Sequence, residues 1–271
     1  MERFSSKDFN LRNLLCSLAN AFSTFSVVPM PQKRYSDSEV KYTLAIFPLV
    51  GLLPGIAVSL LYLFSKAYSL SPLLWAVLAY ALSHYLNGYI HLDGFADTAD
   101  ALHSHRDKAE KLRIMHDPHI GPMAVISLII HTLLALATGA EIYQRTVVDL
   151  PAGRFIAAAI FLPVLLRSFS IALLIFKPLA RKDGMAASMT KGIDSSVKFL
   201  LIGLNVFATI ILSVFVSWVF LILWILLFLA LELFSRSALR NFGGMSGDLS
   251  GYFFCVAENL SLIFLCMILL F

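Results

Sequence analysis

Charged residues and cysteines are scarce in this sequence. Asp, Glu, Lys and Arg make up 14% of the 271 residues, whereas an average soluble domain carries about 25%. Hydrophobic residues make up 59% and the mean hydropathy is +0.81, which excludes an ordinary soluble domain and indicates a membrane protein. The three cysteines, Cys16, Cys255 and Cys266, form no CxxC pair, so neither a disulfide framework nor a zinc ribbon is indicated.

Long apolar stretches predict an all-α, polytopic membrane bundle. A spanning helix needs about 20 mostly apolar residues. Six stretches meet this criterion: 43–64, 72–92, 122–140, 155–176, 199–231 and 252–271. Because 199–231 is too long for one span, we divide it near 213–218 into a helical hairpin, which gives about seven transmembrane helices, within a range of six to eight. Arg167 interrupts one span and should face the bundle interior, with Glu232 or Glu258 as its partner.

The N-terminal segment 1–42 is not typical of a signal peptide. Its charges extend to Arg12 and it has no clean cleavage site. We interpret its beginning as an amphipathic helix at the membrane surface. No internal repeat or low-complexity tract divides the chain, so we expect residues 1–271 to form a single membrane-embedded catalytic domain.

The distribution of basic residues predicts the orientation in the membrane. With seven spans, one face receives segments 1–42, 93–121, 177–198 and 236–251, which hold 17 of the 21 Lys and Arg residues. The positive-inside rule places this face in the cytoplasm of a cell-membrane protein. The same segments contain the polar and glycine-rich loops, so we expect the active face there. The lipid bilayer is one partner, nucleic acid is not expected, and a homo-oligomer is compatible with the sequence.

Three aspartates follow the second apolar stretch. Asp93, Asp97 and Asp100 are spaced at i, i+4 and i+7, which places them on one face of a helix. An acidic helix start explains one or two acids by the helix dipole, but not three on one face. A hard divalent cation would relieve their repulsion, and oxygen-only ligands favour Mg²⁺, whose remaining ligands are typically phosphate oxygens. The cluster therefore predicts a magnesium site and a phosphorylated or pyrophosphate substrate.

Histidines and two further loops leave alternatives open. The pairs His103-x-His105 and His116-x-x-His119 could bind zinc, although interfacial hydrogen bonding is the commoner role of such residues. Segment 241–251 has four glycines around Asp248, which fits either a phosphate cradle or a flexible turn. The basic segment 177–192 fits either a phosphate clamp or a membrane anchor.

The chain resembles the cobalamin synthase family, also called adenosylcobinamide-GDP ribazoletransferase. The resemblance covers nearly the whole chain, and its most specific part is the aspartate signature HLDGFADTADAL at 91–102. Four other segments are similar to the family: FSTFSVVPMP at 22–31, FPLVGLLPG at 47–55, RDKAEKLRIMHDPHIGPMAV at 106–125 and GGMSGDLSG at 243–251, which is followed by Glu258.

The resemblance implies a transferase reaction. Adenosylcobinamide-GDP would be joined to α-ribazole, or to α-ribazole 5′-phosphate, to give adenosylcobalamin or its 5′-phosphate with release of GMP. Asp93, Asp97 and Asp100 would be the catalytic acids and the Mg²⁺ ligands, with Asp100 accepting the hydroxyl proton. The match of its motif adds Arg106 as a substrate-binding residue, and the glycine-rich motif adds Gly243, Gly244 and Asp248. Charge and topology alone, without the resemblance, add Arg181 and Lys182.

Other functions are weighed against this one. A CDP-alcohol phosphotransferase also displaces a nucleoside monophosphate, but it would show an alanine-arginine pair after the first Asp-Gly, where this chain has Ala96-Asp97. An intramembrane prenyltransferase would need a second aspartate-rich motif. A transporter would carry polar sites near the bilayer midplane, whereas the polar residues here concentrate on one face.

Overall fold

The fold is all-α, as predicted. A computed structural model describes residues 11–30, 35–36, 38–149, 151–191 and 193–268. Over these ranges the chain forms twelve α-helices and no strand: α1 (Leu11–Phe25), α2 (Thr43–Ile46), α3 (Leu52–Tyr68), α4 (Pro72–Leu86), α5 (Ile90–His103), α6 (Lys108–Ile114), α7 (Pro122–Asp149), α8 (Ala152–Phe176), α9 (Gly184–Thr190), α10 (Ser195–Ile211), α11 (Phe220–Phe242) and α12 (Gly247–Ile268). A 3₁₀ turn joins α2 to α3, and a π-helical turn follows α10.

Six helical segments are long and apolar enough to cross a membrane, which confirms a multi-pass membrane protein. They are Thr43–Tyr68, Pro122–Val147, Ala152–Phe176, Ser195–Val216, Phe220–Phe242 and Gly247–Ile268. A seventh apolar helix, α4, has only 15 residues, a rise of about 22 Å against a hydrocarbon core of about 30 Å. Six such segments, or seven when the shorter α4 crosses as well, fall within the predicted range, and the placement of the basic loops on one face requires seven. The predicted break in 199–231 is confirmed at Ser217–Val219.

The predicted span 72–92 is divided in two. Helix α4 ends at Leu86, and the backbone then enters the left-handed region at Gly88 (φ 61°) and Tyr89 (φ 58°). Helix α5 begins at Ile90, so the aspartates lie on a separate helix and not at the end of a span. Apolar composition alone conceals this break, because the residues on both sides of it are mostly hydrophobic.

The amphipathic helix predicted near the N-terminus is present as α1, and residues 1–10 lie outside the described part. Leu11 and Leu15 are exposed, whereas Ser17 faces the protein, where its hydroxyl donates to the Glu39 carbonyl and accepts from the Tyr42 N–H. Helix α1 therefore presents an apolar edge outward while it is tied to the beginning of the first span.

Helix α12 packs against α5, α7 and α8. Arg167 is 1% exposed, which confirms its predicted inward orientation. Its guanidinium lies over the Phe254 ring, 4.9 Å from the centroid, and donates to the Pro163 carbonyl at 3.0 Å. Glu232 is paired with Lys177 at 2.7 Å, so Glu232 is engaged elsewhere. That residues 1–271 form a single catalytic domain stays a prediction.

Candidate active site

Two glycines bring helices α5 and α12 into close contact. A Cβ on Gly94 would lie 2.7 Å from the Cα of Asp248, and a Cβ on Gly251 would lie 3.3 Å from the His91 carbonyl oxygen. Real Cβ atoms do not approach backbone atoms as closely as the first of these distances. The absence of side chains at Gly94 and Gly251 therefore lets the first turn of α12, with Asp248, lie directly beside the aspartates of α5.

The four carboxylates of α5 and α12 form one electrostatic group. Asp93 is exposed, and Asp97, Asp100 and Asp248 are half-buried. Burial, which is the largest cause, and the negative charges of Asp93, Asp248 and Asp100 together raise the pKa of Asp97 to about 6. The predicted cluster of three acids is therefore brought together, and Asp248 joins it from a helix far away in sequence.

Asp100 has a structural task that the spacing did not reveal. One of its oxygens accepts from the Gly121 N–H at 2.6 Å and the other from the Ala124 N–H at 2.8 Å. These donors lie at the beginning of α7, where backbone N–H groups have no partner within the helix. A Cβ on Gly121 would lie 2.5 Å from the Asp100 carboxylate, so this contact depends on glycine. Asp100 caps α7 and links it to α5.

A second pair of loops forms the opposite wall of the site. The segment after α8 pairs with the turn between α11 and α12, because the Ala180 N–H donates to the Met245 carbonyl and the Met245 N–H donates to the Pro178 carbonyl, each at 2.8 Å. Gly244 is buried against the backbone of Leu179 and Ala180. This pairing fixes the basic segment beside the turn that precedes Asp248.

Arg181 projects from this wall. Its guanidinium donates to both carboxylate oxygens of Asp183, at 3.0 and 3.3 Å, and lies 2.7 Å from Nε2 of His116. The hydrogen bonds to Arg181 hold the pKa of the Asp183 carboxyl below its usual value. The side chain of Arg181 is still 44% exposed, which leaves part of the guanidinium free to meet an anion.

Asp93 and Asp248 share a cavity of about 520 Å³ with Arg181 and His116. The cavity continues over Met185 and neighbouring residues of α9 and reaches the apolar side chains of α1 and the first span. A volume of this size is within the usual range for sites that bind small molecules. The cavity therefore places carboxylates and a guanidinium on the same ligand space, with apolar surface around them.

Four predicted substrate-binding residues, Arg106, Lys182, Gly243 and Gly244, do not line this cavity. Arg106 and Lys182 are exposed. The pKa of the Glu110 carboxyl is lowered mainly by its hydrogen bond to Arg113 and less by the nearby charge of Arg106. Gly243 has φ +82° and ends α11. Gly244 packs behind the basic loop, whereas Arg181 and Asp248 face the cavity as predicted. The roles assigned to all these residues stay predictions.

The donor set fits a hydrated hard cation. Carboxylate oxygens are the protein ligands that Mg²⁺ prefers, and Mg²⁺ usually keeps several waters and binds through one or two carboxylates. Among the described residues, the set of three side chains whose ligand atoms all lie within 4.8 Å of one another is His84, His131 and Glu258, and not the acids of α5. An ion at the acids would thus be held in part through waters or phosphate oxygens.

Sequence reasoning missed His116 as a cavity residue and Asp183 as the partner of Arg181. The sequence offers His116 and His119 as a zinc pair or as interfacial hydrogen-bonding residues; in the structure His119 is bound to Asp117 at 2.8 Å, whereas His116 contacts Arg181. The adjacency of Arg181 and Asp183 was the available signal for that pair. No sequence pattern joins His116 to Arg181, because α7 and α8 separate them along the chain.

Comparisons with known proteins agree over most of the chain. The family model described as cobalamin-5-phosphate synthase matches residues 17–266. The adenosylcobinamide-GDP ribazoletransferase of Clostridium botulinum (strain Alaska E43 / Type E3) is 28% identical over 257 residues, 95% of this chain and 99% of that protein. Proteins of the same name from Lachnoclostridium phytofermentans and Bradyrhizobium diazoefficiens are 30% and 33% identical, each over 90% of both chains. No solved structure gives a significant match.

Proposed function

The chain belongs to the cobalamin-5-phosphate synthase family, and from that premise we propose that its acidic cavity joins adenosylcobinamide-GDP to α-ribazole or α-ribazole 5′-phosphate, with release of GMP. The observation that carries this proposal is the shared cavity, in which Asp93 and Asp248 face Arg181. Phosphoryl transfer depends mainly on positioning and on neutralising spread negative charge, and the cavity offers groups for both. Family membership over residues 17–266 also favours this reaction over CDP-alcohol transfer or transport.

The reaction proposed is a displacement at phosphorus. A ribose hydroxyl of the α-ribazole substrate attacks the phosphorus that is attached to the cobinamide arm, the bond from that phosphorus to the oxygen of GMP breaks, and GMP leaves with the bonding electrons. The family name places a phosphate on position 5 of the product, so the attacking oxygen in the phosphorylated substrate is a different hydroxyl of the ribose.

The acids have separate tasks in this proposal. Asp93, Asp97 and Asp248 would hold Mg²⁺, which would supply positive charge to neutralise the pyrophosphate. The hydroxyl proton passes to a carboxylate of the same group. Asp100 is the weakest candidate for that role, because each of its oxygens already accepts a backbone N–H. We therefore assign Asp100 as a positioning residue that holds α7 against α5, and Arg181 as the group that binds phosphate oxygens.

The cavity opens, in this proposal, to the cytoplasm. It lies among the loops that carry most of the basic residues, and the positive-inside rule assigns such loops to the cytoplasmic side. Cysteine labelling of S104C is expected only after permeabilisation, whereas labelling of R145C is expected in intact cells. Labelling of S104C in intact cells would contradict this orientation.

The test of the reaction is GMP release by the purified chain in detergent, with adenosylcobinamide-GDP, α-ribazole and Mg²⁺. D93N and D97A are expected to lose about 10³-fold in rate, because an ion at the reacting phosphate contributes several kcal/mol. D117N is the matched control, since Asp117 is an exposed acid bonded to His119 and lies outside the cavity. Normal rates in D93N and D97A at equal expression would refute the assignment of the acids.

A further inference from the structure

Three side chains meet inside the bundle, away from the acidic cavity. They are His84 of α4, His131 of α7 and Glu258 of α12. Glu258 Oε2 lies 3.6 Å from His84 Nε2 and 3.7 Å from His131 Nε2, and the three ligand atoms lie within 4.8 Å of one another. His84 and His131 are each 2% exposed. We propose that His84, His131 and Glu258 bind a divalent transition-metal ion, with zinc as the expected metal.

Each of the three side chains lacks a hydrogen bond at the atom that faces the other two. His84 Nε2, His131 Nε2 and Glu258 Oε2 are all buried, and none has a hydrogen-bond partner. Buried polar atoms nearly always have a partner, and each exception calls for an explanation such as an ion. A single cation between them would satisfy all three atoms at once, whereas the distances of 3.6 and 3.7 Å from Glu258 Oε2 to the two nitrogens are too long for hydrogen bonds within the group.

The spacing and chemistry fit zinc better than magnesium. Zinc binds imidazole nitrogen and carboxylate oxygen at about 2.0–2.2 Å in tetrahedral geometry, which places neighbouring ligand atoms about 3.3–3.5 Å apart. The distances of 3.6 and 3.7 Å are therefore close to those of a formed site. Two imidazoles and one carboxylate are a known ligand set for zinc, whereas Mg²⁺ prefers oxygen ligands alone.

Asn259 supplies the outer support that metal-binding histidines usually have. Its side-chain amide lies 2.8 Å from Nδ1 of His131, and Asn259 Oδ1 is itself buried without a partner. As placed, the amide nitrogen also donates to the His131 carbonyl at 3.3 Å; turning the amide gives up that longer bond and lets Oδ1 accept the Nδ1–H of His131. That arrangement gives Oδ1 a partner and directs the free electron pair of His131 Nε2 towards Glu258.

The fourth position of the ion faces a second cavity. His84, Glu258 and Arg167 line this cavity of about 360 Å³, whose walls are otherwise mostly apolar. The positive charge of Arg167 opposes a bound dication, so an anionic fourth ligand such as hydroxide is expected in this space. The site is thus closed to bulk solvent on the histidine side and open to one small ligand on the other.

The proposed ion would fix the helices that carry the active acids. Helix α4 leads through a short turn into α5, α7 is capped by Asp100, and α12 carries Asp248 in its first turn. A metal bound by α4, α7 and α12 therefore sets the relative position of the segments that form the acidic cavity. Its role is to position these helices, and it does not contact the substrate.

The test measures metal content and does not depend on catalysis. The full chain is purified in detergent without chelator, loaded with Zn²⁺ alone, freed of excess metal and examined by elemental mass spectrometry. We expect about one zinc per chain in the wild type and in H119A, and less than about one tenth of that in H84A and H131A. His119 is the matched control, because it is an exposed histidine of the polar loops.

Two results would overturn the proposal: no more zinc in the wild type than in H84A, or loss of zinc in H119A. If H84A and H131A do not fold, X-ray absorption at the zinc edge of the wild type replaces them. Scattering from two imidazoles supports the site, and its absence contradicts it. Because the metal measurement needs no substrate, a wild-type chain that takes up no zinc but releases GMP in the separate assay with substrates would refute this inference and leave the proposed function intact.

Discussion

Helix α12 carries one carboxylate into each of two polar centres that differ in every other respect. Asp248 lies in its first turn, beside three more acids and next to a cavity that Arg181 enters. Glu258 lies about ten residues later, roughly 15 Å along the axis, among two buried imidazoles. The first centre offers four neighbouring carboxylates and room for water, which suits a hard ion, and the second offers two imidazole nitrogens with one carboxylate. Surroundings, and not the carboxylate itself, decide which ion each centre prefers.

Neutralising each carboxylate of α12 in turn should separate the two centres most clearly. D248N is expected to raise the Mg²⁺ concentration for half-maximal GMP release by about 100-fold, since it removes a charged ligand, and to keep its zinc. E258Q is expected to lose its zinc and to keep the wild-type Mg²⁺ requirement. Parallel Mg²⁺ titration and metal analysis of both variants provide the measurement. The same change in both variants would show that the two centres are one.

The role of the Arg181 guanidinium in the acidic cavity is tested by substituting Arg181 and the adjacent Lys182 in turn. R181A is expected to raise the KM for adenosylcobinamide-GDP by about 10–100-fold, because a charge-assisted hydrogen bond contributes about 1.5–3 kcal/mol. K182A, which alters an exposed side chain outside the cavity, is expected to change it by less than about 2-fold. Steady-state kinetics of GMP release would measure both. Equal effects would indicate a general attraction of anions to this face and no specific site.

The close contact of α5 and α12 is tested at two glycines. G94A places a Cβ 2.7 Å from the Cα of Asp248, so the helices must separate, with an expected loss of about 1–3 kcal/mol in stability and lower activity. G203A is the control: nothing lies within 4 Å of its Cβ, and alanine favours a helix by up to about 1 kcal/mol. Thermal unfolding in detergent compares them. A melting temperature of G94A at or above that of G203A would contradict the packing.

The smallest effect concerns the protonation of Asp97. Its pKa is about 6 in the folded chain against a usual value of 3.8, so the folded state holds this proton more tightly than the unfolded state. The stability that it contributes is present below about pH 4 and is lost as the pH rises through 6. Without Mg²⁺, the melting temperature of the wild type relative to D97N should fall over this interval.

D93N provides the refinement of that experiment. It removes one of the charges that raise the pKa of Asp97, so the transition should move to lower pH. Because burial is the largest cause of the shift, the displacement is expected to be less than about one pH unit. A transition that is unchanged in D93N would place Asp93 too far away to belong to the same group as Asp97.

The sequence predicts the class of the fold and much of the acidic centre, for physical reasons that can be stated. Hydrophobic runs identify spans because their length must match the bilayer, and the inward orientation of Arg167 follows from the cost of charge in lipid. The spacing of Asp93, Asp97 and Asp100 places them on one helix face without further information. These features can be predicted because each depends only on the spacing of nearby residues or on whether a side chain prefers lipid or water.

The remaining features depend on contacts between distant segments. His84, His131 and Glu258 each lie alone in an apolar helix, so no spacing rule connects them, and their common location appears only when α4, α7 and α12 are packed. The capping of α7 by Asp100 is of the same kind, because its donors, at Gly121 and Ala124, are 21 and 24 positions away. The break after Leu86 requires left-handed residues that hydropathy does not register.

The backbone pairing of Pro178–Ala180 with Met245 has a consequence for how a bulky ligand enters. Since two hydrogen bonds join these loops, Arg181 and the turn before Asp248 form one stiff rim, and neither can swing aside without carrying the other. Accommodation of a large corrinoid must therefore come from the side of the cavity formed by α9, whose Met185 is exposed. That short helix, and not the charged rim, is where the entrance would widen.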